Sequence, residues 1–153
     1  PSRASRFDNM KALTIWQPWA SLVIVGAKLH EFRRWDFSVR PQLRSLVDQR
    51  IVIHAGTRAV RIAEVEDLLV RLWSDERWTT ALDPSIAEPL LERVRVGLKR
   101  KEQILPLGCG LGTAVLGRPV SASELVAANH GAAFVVDSDR VDQHVFGWPL
   151  RDI

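Results

Sequence analysis

Gly26-Ala27-Lys28-Leu29-His30-Glu31-Phe32-Arg33 follows directly on the apolar run Trp16-Gln17-Pro18-Trp19-Ala20-Ser21-Leu22-Val23-Ile24-Val25. An ammonium, a carboxylate and a guanidinium are crowded together where a buried element ends. Charges that close to an apolar segment must be solvated, paired or used. Pro18 suits a first helical position and Gly26 the left-handed residue that ends a helix, so Ala20 to Val25 reads as a short buried helix. Lys28 to Trp35 reads as the strand after it. Alternation puts Glu31 and Arg33 on one face with Leu29 and Trp35, and His30, Phe32 and Arg34 on the other. Lys28 has the wrong parity to meet Glu31 within a regular strand, and reaches it only from the turn after Gly26 or from a bulge.

Before this passage, Lys11 to Ile15 alternates as a first strand. After it, Arg40 to Arg50 reads as a loop or irregular turn, and Ile51-Val52-Ile53-His54-Ala55 as a central buried strand. Ile62, Val65, Leu69, Leu72 and Trp73 then recur at helical spacing. Asp83-Pro84-Ser85 opens a second helix, with Ser85 and Glu88 spaced as a capping box and Ile86, Leu90, Leu91, Val94 and Leu98 on its inner face. Together these form a helical insertion over residues 60–101, in which Trp73 and Trp78 read as packing. Thr113 to Gly117 returns to strand. Ser121 to Ala128 is a short helix capped by Ser121 or Ser123, and Ala132 to Val136 is another strand. Phe146 to Leu150 reads as a last strand, which Pro149 confines to an edge. Strands separated by short helices give an α+β class, closing most simply as a small mixed β-barrel with helices at its ends.

The bulk composition sets the bounds. A chain of 153 residues suits one domain, here residues 10–153. Pro1 to Asn9 is polar and aperiodic and reads as a disordered leader or appended remnant before Met10. The net charge of +3 permits a nucleic-acid partner without demanding one. A lone Cys109 forms no internal disulfide and no cysteine metal cluster. No apolar run approaches the roughly 18–20 residues that span a bilayer, and no secretory signal is visible, so a cytoplasmic protein without membrane contact is expected. No metal or other cofactor is expected.

The charged trio has defined uses. Arg33 can fork onto a carboxylate or phosphate. Glu31 can accept from an exocyclic amine or act as acid or base, and Lys28 can bind phosphate or serve as base or nucleophile. The competing reading is a buried ion-pair network that only fixes strand register. Trp16, Trp19 and Trp35 can stack bases or simply pack, with Trp35 the best placed to stack. His54 either donates to a ligand or is a hydrogen-bonded core histidine. Thr57 and Arg58 lie at the carboxyl end of the buried strand, where ligand-binding groups often stand. Arg93, Arg95, Lys99, Arg100 and Lys101 either complement a helix dipole or track phosphates. Gly108 to Gly112 lacks the lysine and hydroxyl of a phosphate loop.

Trp16-Gln17-Pro18-Trp19-Ala20-Ser21-Leu22, followed by Gly26-x-Lys28-x-x-Glu31-x-Arg33 and Trp35, resembles the activating signal cointegrator homology (ASCH) domain of the PUA-like superfamily. Ile53-His54-Ala55 and Leu105-Pro106-Leu107-Gly108-x-x-Leu111-Gly112 resemble the family's later strands. The resemblance implies a small β-barrel whose cleft, beside the helix–strand junction, receives RNA or a nucleotide-like ligand. It also implies two enzymatic alternatives, an amidohydrolase that deacylates N-acetylated cytidine and a ribonuclease. Lys28 matches the family lysine. Glu31 stands where the amidohydrolases carry a threonine, and their catalytic glutamate falls at or near Val115. The family usually continues into a further strand, so a barrel that is shorter or closed differently is expected here.

The expected function is therefore a binding module for RNA, other single-stranded nucleic acid or a nucleotide, with Lys28, Glu31, Arg33, Trp35, Trp16, Gln17, His54 and Arg58 as its binding residues. An enzyme in the same cleft would use Lys28 as base and Glu31 as proton shuttle. A protein-interaction domain is the third expectation, and the oligomeric state is open.

Overall fold

Alternation in the first and third apolar segments produces two parallel neighbours at one end of a mixed sheet, β1 (Ala12–Ile15) and β3 (Arg50–Ala55), with Leu13 opposite Ile53. The structure is a computed structural model describing residues 9–75, 77–129 and 146–153. The other strands are β2 (His30–Arg33), β4 (Cys109–Leu116), β5 (Val120–Ser121) and β6 (Phe146–Arg151). They run in the order β1-β3-β4-β6-β2, and β5 also pairs with β6. All ladders except β1·β3 are antiparallel. The helices are α1 (Trp19–Ile24), α2 (Ile62–Leu72), α3 (Pro84–Lys99) and α4 (Ala122–Asn129).

The expected barrel is not closed. β1 and β2 end the path and share no ladder among the described residues. A side chain spans the gap instead: Arg33 Nη2 donates to Thr14 O at 2.7 Å. Lys11 O and Ile15 O accept from Val52 N and Gly56 N of the β3 segment, so alternation turns Thr14 O to the outer edge of β1. Arg33 satisfies the carbonyl that a closing strand would otherwise pair.

Pro149 does not confine β6 to an edge. β6 lies inside the sheet, with His30 opposite Pro149 on one side and the β4 pair Leu116–Leu150 on the other. The proline is tolerated because its nitrogen shares the side of its carbonyl, which accepts from Gly117 N at 2.7 Å. The missing N–H thus falls in the gap between β4 and β5.

Two apolar clusters meet at α1. Ala20 and Val23 pack on the sheet with Ile53, Ala114 and Trp148, while Leu22 packs on the insertion with Leu68, Leu91 and Val94. Trp19 touches both. In the insertion, Asp83 rather than Ser85 caps α3, accepting from Ser85 N at 3.0 Å and Ser85 Oγ at 2.7 Å. Ala87 takes the buried position and Ile86 is exposed. Trp73 lies past the end of α2 and is 61% exposed, so it does not pack in the insertion. At α4 the expected cap forms: Glu124 N donates to Ser121 Oγ and Ser121 N to Glu124 Oε2. The sequence-predicted irregular turn contains a 3-10 helix over Pro41–Leu46. The strand expected at 132–136 and the side chain of Trp78 lie outside the described residues.

No helix among the described residues is long and apolar enough to cross a membrane.

Candidate ligand-binding site

Gly26 adopts φ +82°, ends α1 and releases the chain toward β2, as its sequence position predicts. Lys28 stays in this junction, before the strand begins. Its amide donates to Leu22 O at 3.1 Å and its backbone bridges to Leu82 of the insertion. From there the side chain runs inward until only 2% of it is exposed, with Nζ 3.8 Å from Glu31 Oε2 and 5.1 Å from the Phe32 ring centre. Arg33 approaches the other oxygen, Nη2 to Glu31 Oε1, at 3.0 Å. The Glu31 carboxylate therefore stands between two cations, one buried and one reaching solvent. Burial, and secondarily the charge of Lys28, lowers the pKa of His30 on the opposite face.

Glu31, Arg33 and Trp35, the face assigned by strand parity, border a cavity of about 200 Å³ between the two ends of the sheet. Leu13, Ile51 and Leu116 supply much of its apolar wall, and Leu43 and Leu46 of the 3-10 helix border it as well. Trp148 lies directly opposite Glu31 in the β2·β6 register and presents a second indole to the space. The two indole rings are 5.3 Å apart, tilted by 58°, and Trp148 Nε1 donates to Trp35 O at 3.3 Å. Lys11 and Arg40 complete the charged lining, with the Arg40 guanidinium 5.3 Å from the Trp35 ring centre.

The remaining sequence-predicted residues stand elsewhere. Lys28 supports Glu31 from behind and does not line the cavity. Gln17 is fully buried: its Oε1 accepts from Ser21 N and its Nε2 donates to Pro106 O, each at 3.0 Å. That amide ties the start of α1 to the segment before β4. His54 Nδ1 lies 3.2 Å from Thr14 Oγ1 on the neighbouring strand. Arg58 forks onto Glu64 at 2.9 and 3.0 Å and stacks on exposed Trp16, 4.1 Å from its ring centre. Trp16, Gln17, His54 and Arg58 are thus not brought to the cavity.

The chain matches no family model and no curated protein.

Lys11, Arg40 and Trp148 were not among the sequence-predicted binding residues. For Trp148 the signal is the strand register, which no local motif carries. No group of three metal-ligating side chains is assembled among the described residues. The lining of flat apolar rings beside a fixed carboxylate–guanidinium pair suits a planar, polar-edged molecule.

Proposed function

We propose that this chain is a binding module that lodges one unpaired base of RNA or another single-stranded nucleic acid, or the base of a free nucleotide, in the cavity beside Glu31 and Arg33. The supporting observation is the Glu31–Arg33 pair on the same wall as the indoles of Trp35 and Trp148. At about 200 Å³ the space is smaller than the roughly 300–1,000 Å³ that encloses a whole drug-sized ligand. One base-sized ring is the appropriate occupant, leaving sugar and phosphate outside. Trp35 stacks the ring, contributing roughly 1–3 kcal/mol. Arg33 donates to an acceptor edge, Glu31 accepts from a ring amine, and Lys28 acts by positioning Glu31. The ASCH resemblance in Gln17-Pro18-Trp19 and Gly26-x-Lys28-x-x-Glu31-x-Arg33 supports the same reading, with Arg33 as the tie across an open PUA-like sheet.

Fluorescence anisotropy with a labelled single-stranded oligonucleotide tests this. Native protein should bind, and Trp35→Leu should weaken binding about tenfold with its melting temperature checked in parallel. Absence of binding, or native affinity in a folded Trp35→Leu variant, overturns the proposal. The alternative, amide hydrolysis on an N-acylated nucleoside with Lys28 as base, requires substrate to reach the buried side of Glu31, because Lys28 does not line the cavity. Release of acetate from N-acetylcytidine by native protein, lost in Lys28→Met, would replace binding with catalysis.

A further inference from the structure

We infer that the connection between β2 and β3, together with Arg118, forms a phosphate-binding edge that makes the ligand a polynucleotide strand rather than a free nucleotide. The inference rests on the base-binding reading of the cavity. It begins with charge: residues 34–49, between the two strands, hold three arginines (34, 40, 44) and two aspartates (36, 48). Both carboxylates are engaged. Asp36 accepts from Ser38 N at 2.8 Å and Ser38 Oγ at 2.5 Å, bonds that hold its carboxyl below the usual range. Asp48 pairs with Arg151.

Arg40, Arg44 and Arg118 have no ion-pair partner among the described residues, and all three are exposed. Each is instead laid over a ring. Arg40 lies 5.3 Å from the centre of Trp35, while Arg44 and Arg118 lie 5.6 and 5.7 Å from the centre of the same Phe37. A guanidinium stacked in this way keeps its N–H edge available to an anion, and the ring limits the rotamer freedom lost on binding. Two like charges on one phenyl ring repel each other, and a bridging anion relieves that repulsion. Arg58 makes the contrast clear, since it stacks on Trp16 but has its fork filled by Glu64.

The strip is continuous with the cavity. Trp35 and Arg40 line it, and Phe37 packs edge-on against Trp148, the other indole of the wall, at 5.6 Å. A strand with one base in the cavity therefore has cations along the path its neighbouring phosphates take. A mononucleotide brings one phosphate and fills one position on this strip, whereas a strand offers successive phosphates to Arg40 at the cavity and to the Phe37 arginines.

The test compares Arg44→Gln/Arg118→Gln with native protein, titrating a labelled single-stranded oligoribonucleotide of about eight nucleotides and, separately, cytidine monophosphate. The double variant should lose about tenfold or more in oligonucleotide affinity near 0.1 M salt. Its plot of log affinity against log salt should be shallower by about 1.4, at about 0.7 per single-strand phosphate contact. Its affinity for the mononucleotide and its melting temperature should be unchanged. Unchanged oligonucleotide affinity and salt slope, with binding still lost in Trp35→Leu, overturns this inference and leaves the cavity reading intact. Equal losses for the two ligands also overturn it, because they place the arginines at the cavity. Failure of the native chain to bind any oligonucleotide overturns both.

Discussion

Replacing Arg33 by methionine tests whether one side chain holds the two ends of the sheet together. Its Nη2 donates to Thr14 O at 2.7 Å and meets Glu31 Oε1 at 3.0 Å. A hydrogen bond from a charged donor contributes roughly 1.5–3 kcal/mol. The Arg33 side chain is 30% exposed, so water recovers part of that value and the low end applies. The ion pair adds about 1 kcal/mol, because Arg33 reaches solvent and the buried Glu31 keeps Lys28 at 3.8 Å when Arg33 is lost. The expected cost is about 2 kcal/mol. For a chain of 153 residues, where 1 kcal/mol moves the melting temperature by about 2–4 °C, the shift is about 4–8 °C downward. Arg33→Lys retains a charge beside Glu31 but not the reach to Thr14, so it should cost about half as much. The loss should also be local: β1 has β3 as its ladder neighbour, so amide exchange in β1 should accelerate more than in β3. Urea unfolding and hydrogen exchange provide the measurements. A methionine variant within about 0.5 kcal/mol of native, with β1 protection intact, would refute Arg33 as the tie.

Three further outcomes follow from the same geometry. Lys28→Met should keep most of the volume of a residue only 1% exposed, whereas Lys28→Ala should cost about a further 2–3 kcal/mol in urea unfolding; equal stabilities would show that the stem does not pack. His30 has a pKa below its ordinary 6.5, first through burial and then through the charge of Lys28, so the unfolded chain binds its proton more readily than the folded one. Its contribution to stability is present above about pH 6.5 and is lost as the pH falls below it, toward the lowered folded value. The urea midpoint should therefore drop between about pH 7 and about pH 5.5, and His30→Gln should flatten that part of the profile; an unaltered profile rejects the assignment. In α3, Gly97→Ala would ordinarily stabilise a helix by about 1 kcal/mol. Here the new methyl group meets Ile104 Cγ2 at 2.8 Å and Glu102 O at 3.2 Å, so stability should be unchanged or lower, and a higher melting temperature would contradict the packing.

The parts of the fold that were legible in the sequence are those fixed by local periodicity. Gly26 marked the end of α1 and the alternation from Leu29 to Trp35 placed Glu31 and Arg33 on the face that borders the cavity. The position of Lys28 outside the strand also followed, since parity left it no regular way to meet Glu31. What parity does not encode is depth. Lys28 reaches the same carboxylate as Arg33 but from the buried side, because the insertion bridges to its backbone at Leu82 and covers the junction. Closure of the sheet was likewise illegible, for an arginine that replaces a ladder looks the same in sequence as an arginine that faces a ligand. Gln17 illustrates the same difficulty in reverse. It belongs to the segment that suggested a ligand cleft, yet its amide is fully used in holding Ser21 and Pro106.

Charge density along the chain does not by itself point to the proposed phosphate-binding edge, and the reason is geometric. The densest basic run, Arg93 to Lys101, lies on and just past α3, where Glu92 and Glu66 can reach it: Arg95 pairs with Glu92 at 2.8 Å and Lys99 with Glu66 at 3.8 Å. Arg100 and Lys101, at and just past the end of α3, complement the helix carboxyl end. Arg40, Arg44 and Arg118 are spread over two loops and show no periodicity, yet folding places them on Trp35 and Phe37 without carboxylate partners among the described residues. A cation's availability to a phosphate depends on what the fold leaves beside it, and aromatic faces position a guanidinium without neutralising it. The cations most open to an anion are therefore the ones whose neighbours in the fold are rings, wherever they stand in the chain.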